Sequence, residues 1–280
     1  MESPSTQTDE IQAAILEPHE RSTVCRQQGG ILTIEELNNK LKNCDSCGLS
    51  QTRTNVICGE GNHQAHLMIV AQAPGEHEDT EGRMFTGPSG ELLNSFLKEL
   101  GVSKNSIYMT NLIKCRLPRN RRPKNVEIES SGRFLEMEIE LVKPSVIATM
   151  GYYAARFIFR SYGMDFPESK HDVSRIFGKL FHAGPVNLYP MGHTAAILYN
   201  SDLKASIENQ YSKLYVLSRR CKWFDVCPMK YFSENSMIDS KWIEFYCHGD
   251  WESCERYWKE ENGEYHPDKM LPDGSLLNEL

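Results

Sequence analysis

Five apolar residues follow one another without interruption in Leu67–Ala71, and Ile107–Ile113 repeats the pattern with one polar exception, Thr110-Asn111. Apolar runs of this length between turn residues predict strands buried on both faces. Between them the period changes. Leu92, Leu93, Phe96, Leu97 and Leu100 fall on one face of a helix that starts at about Ser89 and stops at Gly101. Further along, Val126–Val142 has helical periodicity and is closed by Pro144. Ser145–Met150 predicts a third strand, Gly151 a turn, Tyr152–Tyr162 a helix and Val186–Pro190 a fourth strand. Upstream, Thr33–Lys42 reads as a short helix with a capping box in Thr33 and Glu36. Repeated βα units of this kind imply an α/β fold with a parallel sheet and helices on both faces. In such sheets ligands sit beyond the carboxyl ends of the strands, where Gln72–Gly75 and Asn111 both fall. Pro74 and Gly75 free the backbone there from regular pairing, so the amides of Ala73 and Gly75 can point at a ligand. An acidic loop follows, then Gly82, Phe85 and Gly87.

Length and composition fit a three-part chain of 280 residues: a polar tail over 1–30 without apolar periodicity, expected to be disordered, an α/β domain over 31–217 and a small domain over 218–280. Cys25 in the tail reads as incidental. A net charge of −7 excludes a protein coated in base, so nucleic-acid contact must come from a local patch. Lys114, Arg116, Arg119, Arg121, Arg122 and Lys124 supply one, in KCRLPRNRRPK; a solvated surface loop is the plain alternative. No run reaches the roughly 18 to 20 apolar residues of a membrane span, and MESPSTQTDE lacks a signal sequence, which predicts an intracellular protein, cytoplasmic or nucleoid-associated, with no membrane partner. It is expected to be a monomer. Nine cysteines in a reducing compartment read as metal ligands and free thiols rather than disulfides.

From about Arg219 the composition changes, and all four tryptophans lie beyond that point. Cys221-x5-Cys227 and Cys247-x6-Cys254 form two pairs in a segment too small to bury a large core, for which a metal staple is the natural supplement. Zinc on four thiolates, a second iron–sulfur cluster favoured by the Cys227-Pro228 step, and four buried free thiols all remain open.

Four stretches in order, AQAPGEHED, GRMFTGPSG, YMTNLIKCRLP and MGHTAAIL, resemble the family 4, iron–sulfur type, uracil-DNA glycosylases, whose usual forms are GEAPGxxED, a PFVGxxG-like segment, TNxxKCRPP and HPxxLL. The resemblance covers roughly residues 34–217 and does not reach the Cys- and Trp-rich segment. It implies a three-layer αβα sandwich around a mainly parallel four-stranded sheet, and removal of uracil from DNA in base-excision repair. By the same resemblance Phe85 stacks on the base, Asn111 reads its edge, His193 donates to the departing uracil and Ile197 or Leu198 fills the vacated space. The residue-level alternatives are a core phenylalanine, a structural turn bond, a structural histidine and an ordinary helix start. Glu78 aligns with the acid that keeps thymine out, against the alternative of a solvated loop carboxylate. Gln72 stands where the family has glutamate, and an amide holds a water without taking its proton; catalysis is then slower unless Glu76, Glu78 or Asp79 substitutes. Cys44, Cys47 and Cys115 match three ligands of a 4Fe–4S cluster, but Ser131 occupies the fourth position. The cluster is either labile and incomplete or lost. The rival functions are a glycosylase for another deaminated base and a weakly catalytic DNA-binding scaffold.

Overall fold

The structure, a computed structural model, describes residues 33–277 except 168, 222, 225, 249 and 250. The expectation of a disordered tail, and Cys25 with it, lies outside the described residues. The chain divides into two compact units, one comprising the residues up to Glu99 with Ser103–Tyr211, the other Leu100–Val102 with Ser212–Leu280.

The first unit is built on β1 (Glu60–Gly61), β2 (Leu67–Ala71), β3 (Ile107–Asn111), β4 (Val146–Met150), β5 (Phe181–Ala183) and β6 (Val186–Met191), in sheet order β1-β3-β2-β4-β6-β5. The pairs β3-β2, β2-β4 and β4-β6 are parallel, and these are the four strands expected from the sequence. The sheet nonetheless has six strands rather than four, because β1 and β5 add antiparallel edges. At two and three residues each, they are too short to show a period.

Every residue of β2, β3 and β4 is buried, as expected for a sheet covered on both sides. Along one face Met68, Val70, Tyr108, Ile147 and Leu188 pack with Leu135 and Val142 of α4 (Asn125–Val142) and Ala154 and Ile158 of α5 (Tyr152–Ser161). Residues of the other parity point away from these. α1 (Ile34–Lys42) begins at the expected capping box, with Glu36 N–H on Thr33 Oγ1 at 3.2 Å and Thr33 N–H on Glu36 Oε2 at 2.9 Å. α2 (Glu76–Glu81) and α3 (Pro88–Glu99) lie between β2 and β3. After β4 and α5 come α6 (Lys170–Ile176), then, beyond β6, α7 (Ala195–Tyr199) and α8 (Lys204–Ser212). α2 is a helix where the sequence reads as an acidic loop, and α6 and α8 carry no expected helix either; α8 buries only Ile207 and Tyr211.

The second unit has α9 (Leu214–Leu217), α10 (Pro228–Glu234) and α11 (Glu255–Asn262), joined by single turns. Its own small core comprises Phe224, Met229, Phe232, Ile243, Cys247 and Leu271.

Candidate active site

Parallel register brings Ala71 opposite Asn111 at the ends of β2 and β3, and two further bonds, Leu112 N–H to Ala71 O at 2.8 Å and Ile113 N–H to Gln72 O at 3.0 Å, carry the pairing into the turn. Gln72 and Ala73 are partly exposed at this edge, while Asn111 is buried. The Asn111 Nδ2 lies 3.2 Å from Met84 Sδ, a weak acceptor that leaves the amide free for a better one. This is not the structural turn bond that was the alternative for its side chain.

Glu78 organises the rest. Its Oε2 accepts from Gly75 N–H and its Oε1 from Gly87 N–H, both at 2.9 Å, so one buried carboxylate joins the loop after β2 to the loop before α3. The alternative of a solvated loop carboxylate is therefore wrong. Phe85 sits between these anchors with φ 54°, a left-handed backbone that is unusual for an aromatic residue. Gly90 makes the conformation possible: a Cβ there would come within 2.4 Å of the Phe85 carbonyl. Asn94 Nδ2 holds that carbonyl at 3.2 Å.

His193 follows β6. Its Nδ1 accepts from Ala195 N–H at 3.1 Å, which places the ring proton of the neutral imidazole on Nε2. Burial pushes the imidazole down to about 4, against a small opposing pull from the Glu78 carboxylate. Gly151, in the turn after β4 with φ 88°, lets the ring pack closely, since a Cβ there would lie 3.3 Å from His193 Cβ. Thr194, which replaces the family's proline, is fully buried and donates from Oγ1 to Ser89 O at 2.8 Å, while Ser89 Oγ donates back to Thr194 Oγ1 at 2.8 Å. This latch from the first turn of α3 was missed in the sequence, where two hydroxyl residues 105 apart carry no signal. After it, Leu198 and Tyr199 of α7 stand 52% and 85% exposed.

None of the acids offered as substitutes for the missing glutamate is available. Glu78 is committed to two amides, Asp79 accepts from Thr54 and Asn55 N–H at 3.0 and 3.2 Å, and Glu76 pairs outward with Arg116 at 3.1 Å.

The basic run divides. Lys114 is 2% exposed, with Nζ 2.5 Å from both Glu138 Oε2 and Thr110 Oγ1, and Tyr108 OH donates to Glu138 Oε1 at 3.3 Å. It belongs to a buried network and not to a DNA-facing patch, because Lys114, in the bend just beyond β3, closes with Tyr108 and Thr110 of that strand onto Glu138. Arg121 forms a bidentate pair with Glu127 at 2.5 and 2.8 Å, and Arg116 is held by Glu76. Arg119, Arg122 and Lys124 remain at the surface. Arg122 shares a groove with Tyr152, Tyr153 and Arg156.

Cys44, Cys47, Cys115 and Ser131 do line one cavity, of ≈ 350 Å³ counting its mouth. Arg53 reaches into it, with Nη1 3.3 Å from Cys115 Sγ and Nη2 on Cys44 O at 2.7 Å. Ser131 Oγ accepts from Lys114 N–H at 3.0 Å. Burial pushes the Cys115 thiol up, and Arg53 opposes that. Three thiols and one hydroxyl around a common space suit a cluster-sized group; among the described residues no three His, Cys, Asp or Glu side chains are arranged for a single metal ion. Nor is any described helix long and apolar enough to cross a membrane.

A family model described as the Uracil DNA glycosylase superfamily matches residues 58–215. The type-4 uracil-DNA glycosylase of Sulfurisphaera tokodaii is 35% identical over 191 residues, which are 66% of this chain and 85% of the relative. That of Archaeoglobus fulgidus is 33% identical over 65% of this chain and 92% of its own length, and that of Thermotoga maritima 40% identical over 44% and 65%. The chain belongs to the uracil-DNA glycosylase superfamily and, by these relatives, to its type-4 family.

Proposed function

We propose that the protein is a monofunctional uracil-DNA glycosylase of base-excision repair, hydrolysing the bond between uracil and deoxyribose. One observation carries this reading: at the same end of the sheet, an amide suited to a uracil edge stands with an imidazole whose tautomer is fixed with its proton on Nε2. The family supplies the reaction class, and the sandwich supplies the frame.

The glycosidic bond is inaccessible in a stacked duplex, so the nucleotide is flipped into the site. Phe85 stacks on the base. Asn111 donates to O4 from Nδ2 and accepts N3–H at Oδ1, a pattern that cytosine's edge mismatches. As C1′–N1 breaks, its electron pair leaves with uracil and collects on O2, where the His193 Nε2–H donates. A neutral donor suits this step, and the low imidazole pKa keeps it neutral well below pH 7. Water then adds to C1′, oriented by Gln72. Its proton passes to solvent or to the departing uracil, because Gln72 is no base. Ala73 and Gly75 form the backbone wall beside the base, and Glu78 is a positioning residue that fixes both flanking loops. Leu198 and Tyr199, rather than Ile197, present the exposed apolar side chains that would fill the gap left in the helix.

Arg119, Arg122 and Lys124, with the Tyr152–Arg156 groove, form the DNA backbone surface. Cys44, Cys47 and Cys115, with Ser131 at the fourth corner, would hold an iron–sulfur cluster, which would tie the segment after α1 to the end of β3 and the start of α4. The protein acts as a monomer inside the cell. The test is release of free base from single- and double-stranded oligonucleotides carrying uracil, hypoxanthine, xanthine or mismatched thymine. Uracil is expected to be released, with Asn111→Ala and His193→Ala each slowing release about 10²- to 10³-fold at unchanged melting temperature. Near-normal rates in both variants overturn the site, and release of another base alone overturns the substrate.

A further inference from the structure

The second unit concentrates a set of groups that uracil excision does not use. Cys221, Cys227, Cys247 and Cys254, separated by up to a whole helix and its connections, line a single cavity of ≈ 500 Å³ counting its open mouth. Local structure puts them there. Cys221 N–H donates to Cys247 O at 2.8 Å, which draws the two pairs together, while Cys227 and Cys254 are the residues that open α10 and α11.

Two buried donors on the wall of this cavity have no acceptor among the described residues: Arg256 Nε and Trp251 Nε1. Arg256 is 3% exposed, and its Nη1 is spent on the carbonyls of Pro267, Asp268 and Met270, which solvate the guanidinium without neutralising it. A buried N–H without a partner is costly, and one of these two belongs to a buried guanidinium, so together they ask for an anionic acceptor in the cavity. Backbone N–H groups face the sulfurs too, those of Trp223 and Phe224 at Cys221 and those of Arg256 and Tyr257 at Cys254.

The orphaned donors decide which acceptor. A zinc ion with bonds of about 2.3 Å draws four sulfurs to within about 3.8 Å of one another. The four thiols here line one common cavity together with the two orphaned N–H donors, which a zinc ion saturated by four thiolates would leave without a new acceptor. A cubane brings its own sulfides, holds its four thiolates further apart, and offers sulfur acceptors to N–H donors. We propose that Cys221, Cys227, Cys247 and Cys254 bind a 4Fe–4S cluster, separate from the group at Cys44, Cys47 and Cys115, with Arg256 and Trp251 as its hydrogen-bond donors. Its cross-link supplements a core of six side chains that is small for an independent unit.

The experiment uses the full chain carrying Cys44→Ser, Cys47→Ser and Cys115→Ser, purified without oxygen and assayed for iron, zinc and acid-labile sulfide. The expected result is about four irons and four sulfides per chain, with a broad visible absorption that is lost on adding Cys221→Ser and Cys247→Ser. One zinc and no sulfide overturns the proposal, as does a soluble, folded chain with neither metal. Because the five-fold variant can fail to fold for other reasons, Trp251→Phe, which removes a donor but no ligand, is compared in the triple-serine background. Losing an N–H···S bond destabilises the more negative reduced cluster, so the reduction potential should fall while iron content stays constant. An unchanged potential overturns the assignment of this cavity as the cluster's site.

Discussion

Acidification should reveal the state of His193 directly. The free imidazole titrates near 6.5, and burial in the folded protein holds it down to about 4. Between these values the unfolded chain binds a proton that the folded chain refuses, so folding stability is unaffected above pH 6.5 and declines as pH falls from there towards 4. Each unit of pH in that window costs about 1.4 kcal/mol, and the whole depression about 3 kcal/mol at most. Carboxylates also titrate on this path, so the informative quantity is the difference between the native chain and His193→Gln, which shares every other group. Urea unfolding of both at pH 7.5, 6.5, 5.5 and 4.5 should show the native chain losing about 2 kcal/mol or more relative to the variant between the second point and the last. The same shift predicts that uracil release keeps its rate through pH 6, with no acid limb near 6.5. Parallel unfolding curves for the two chains, or a ring titration above pH 6, would refute the desolvated, Nε2-protonated imidazole on which the donor role depends.

Gln72→Glu should raise the rate of uracil release, since it restores a group able to take a proton from water where Glu76, Glu78 and Asp79 are otherwise engaged; an equal or lower single-turnover rate contradicts that accounting. Neutralising Arg119, Arg122 and Lys124 should weaken binding to uracil-containing and normal DNA alike and reduce the salt slope by about one for each phosphate no longer neutralised, measured by fluorescence anisotropy; weaker binding to uracil-containing DNA alone contradicts a backbone role. Lys114→Met should cost about 3–5 kcal/mol in urea unfolding by leaving Glu138 buried and unpaired, and adding Glu138→Leu should recover most of it. A double variant as unstable as the single one would show that the pair is not the source of the loss.

Much of the first unit was legible in the chain because its determinants are local. Five apolar residues at Leu67–Ala71, too few for a helix and followed by turn residues, read as a strand buried on both faces, Thr33 and Glu36 cap their own helix, and Gly101 follows α3 with φ 69°. Periodicity alone puts Asn111 at the end of β3 and His193 just after β6, while the roles proposed for them rest on the resemblance of YMTNLIKCRLP and MGHTAAIL to the family's motifs. What the sequence could not determine depends on partners distant along the chain. Lys114 reads as one base among six, and only packing against Glu138, itself on the apolar stripe between Leu135 and Val142, makes it a core residue. By resemblance Glu78 aligns with an acid of the site, but its residue-level alternative of a solvated loop carboxylate is settled only where Gly75 and Gly87 converge on its two oxygens. The edge strands β1 and β5 exist only because β3 and β6 offer them unpaired backbone. The four thiols of the second unit, far apart along the chain, share one cavity through the backbone bond between Cys221 and Cys247 and the turns that open α10 and α11. Local periodicity and capping act within a turn or two and are written residue by residue. The pairing of charges, amides and thiols depends on which segments the folded backbone brings within hydrogen-bonding distance, and that was decided by the tertiary structure.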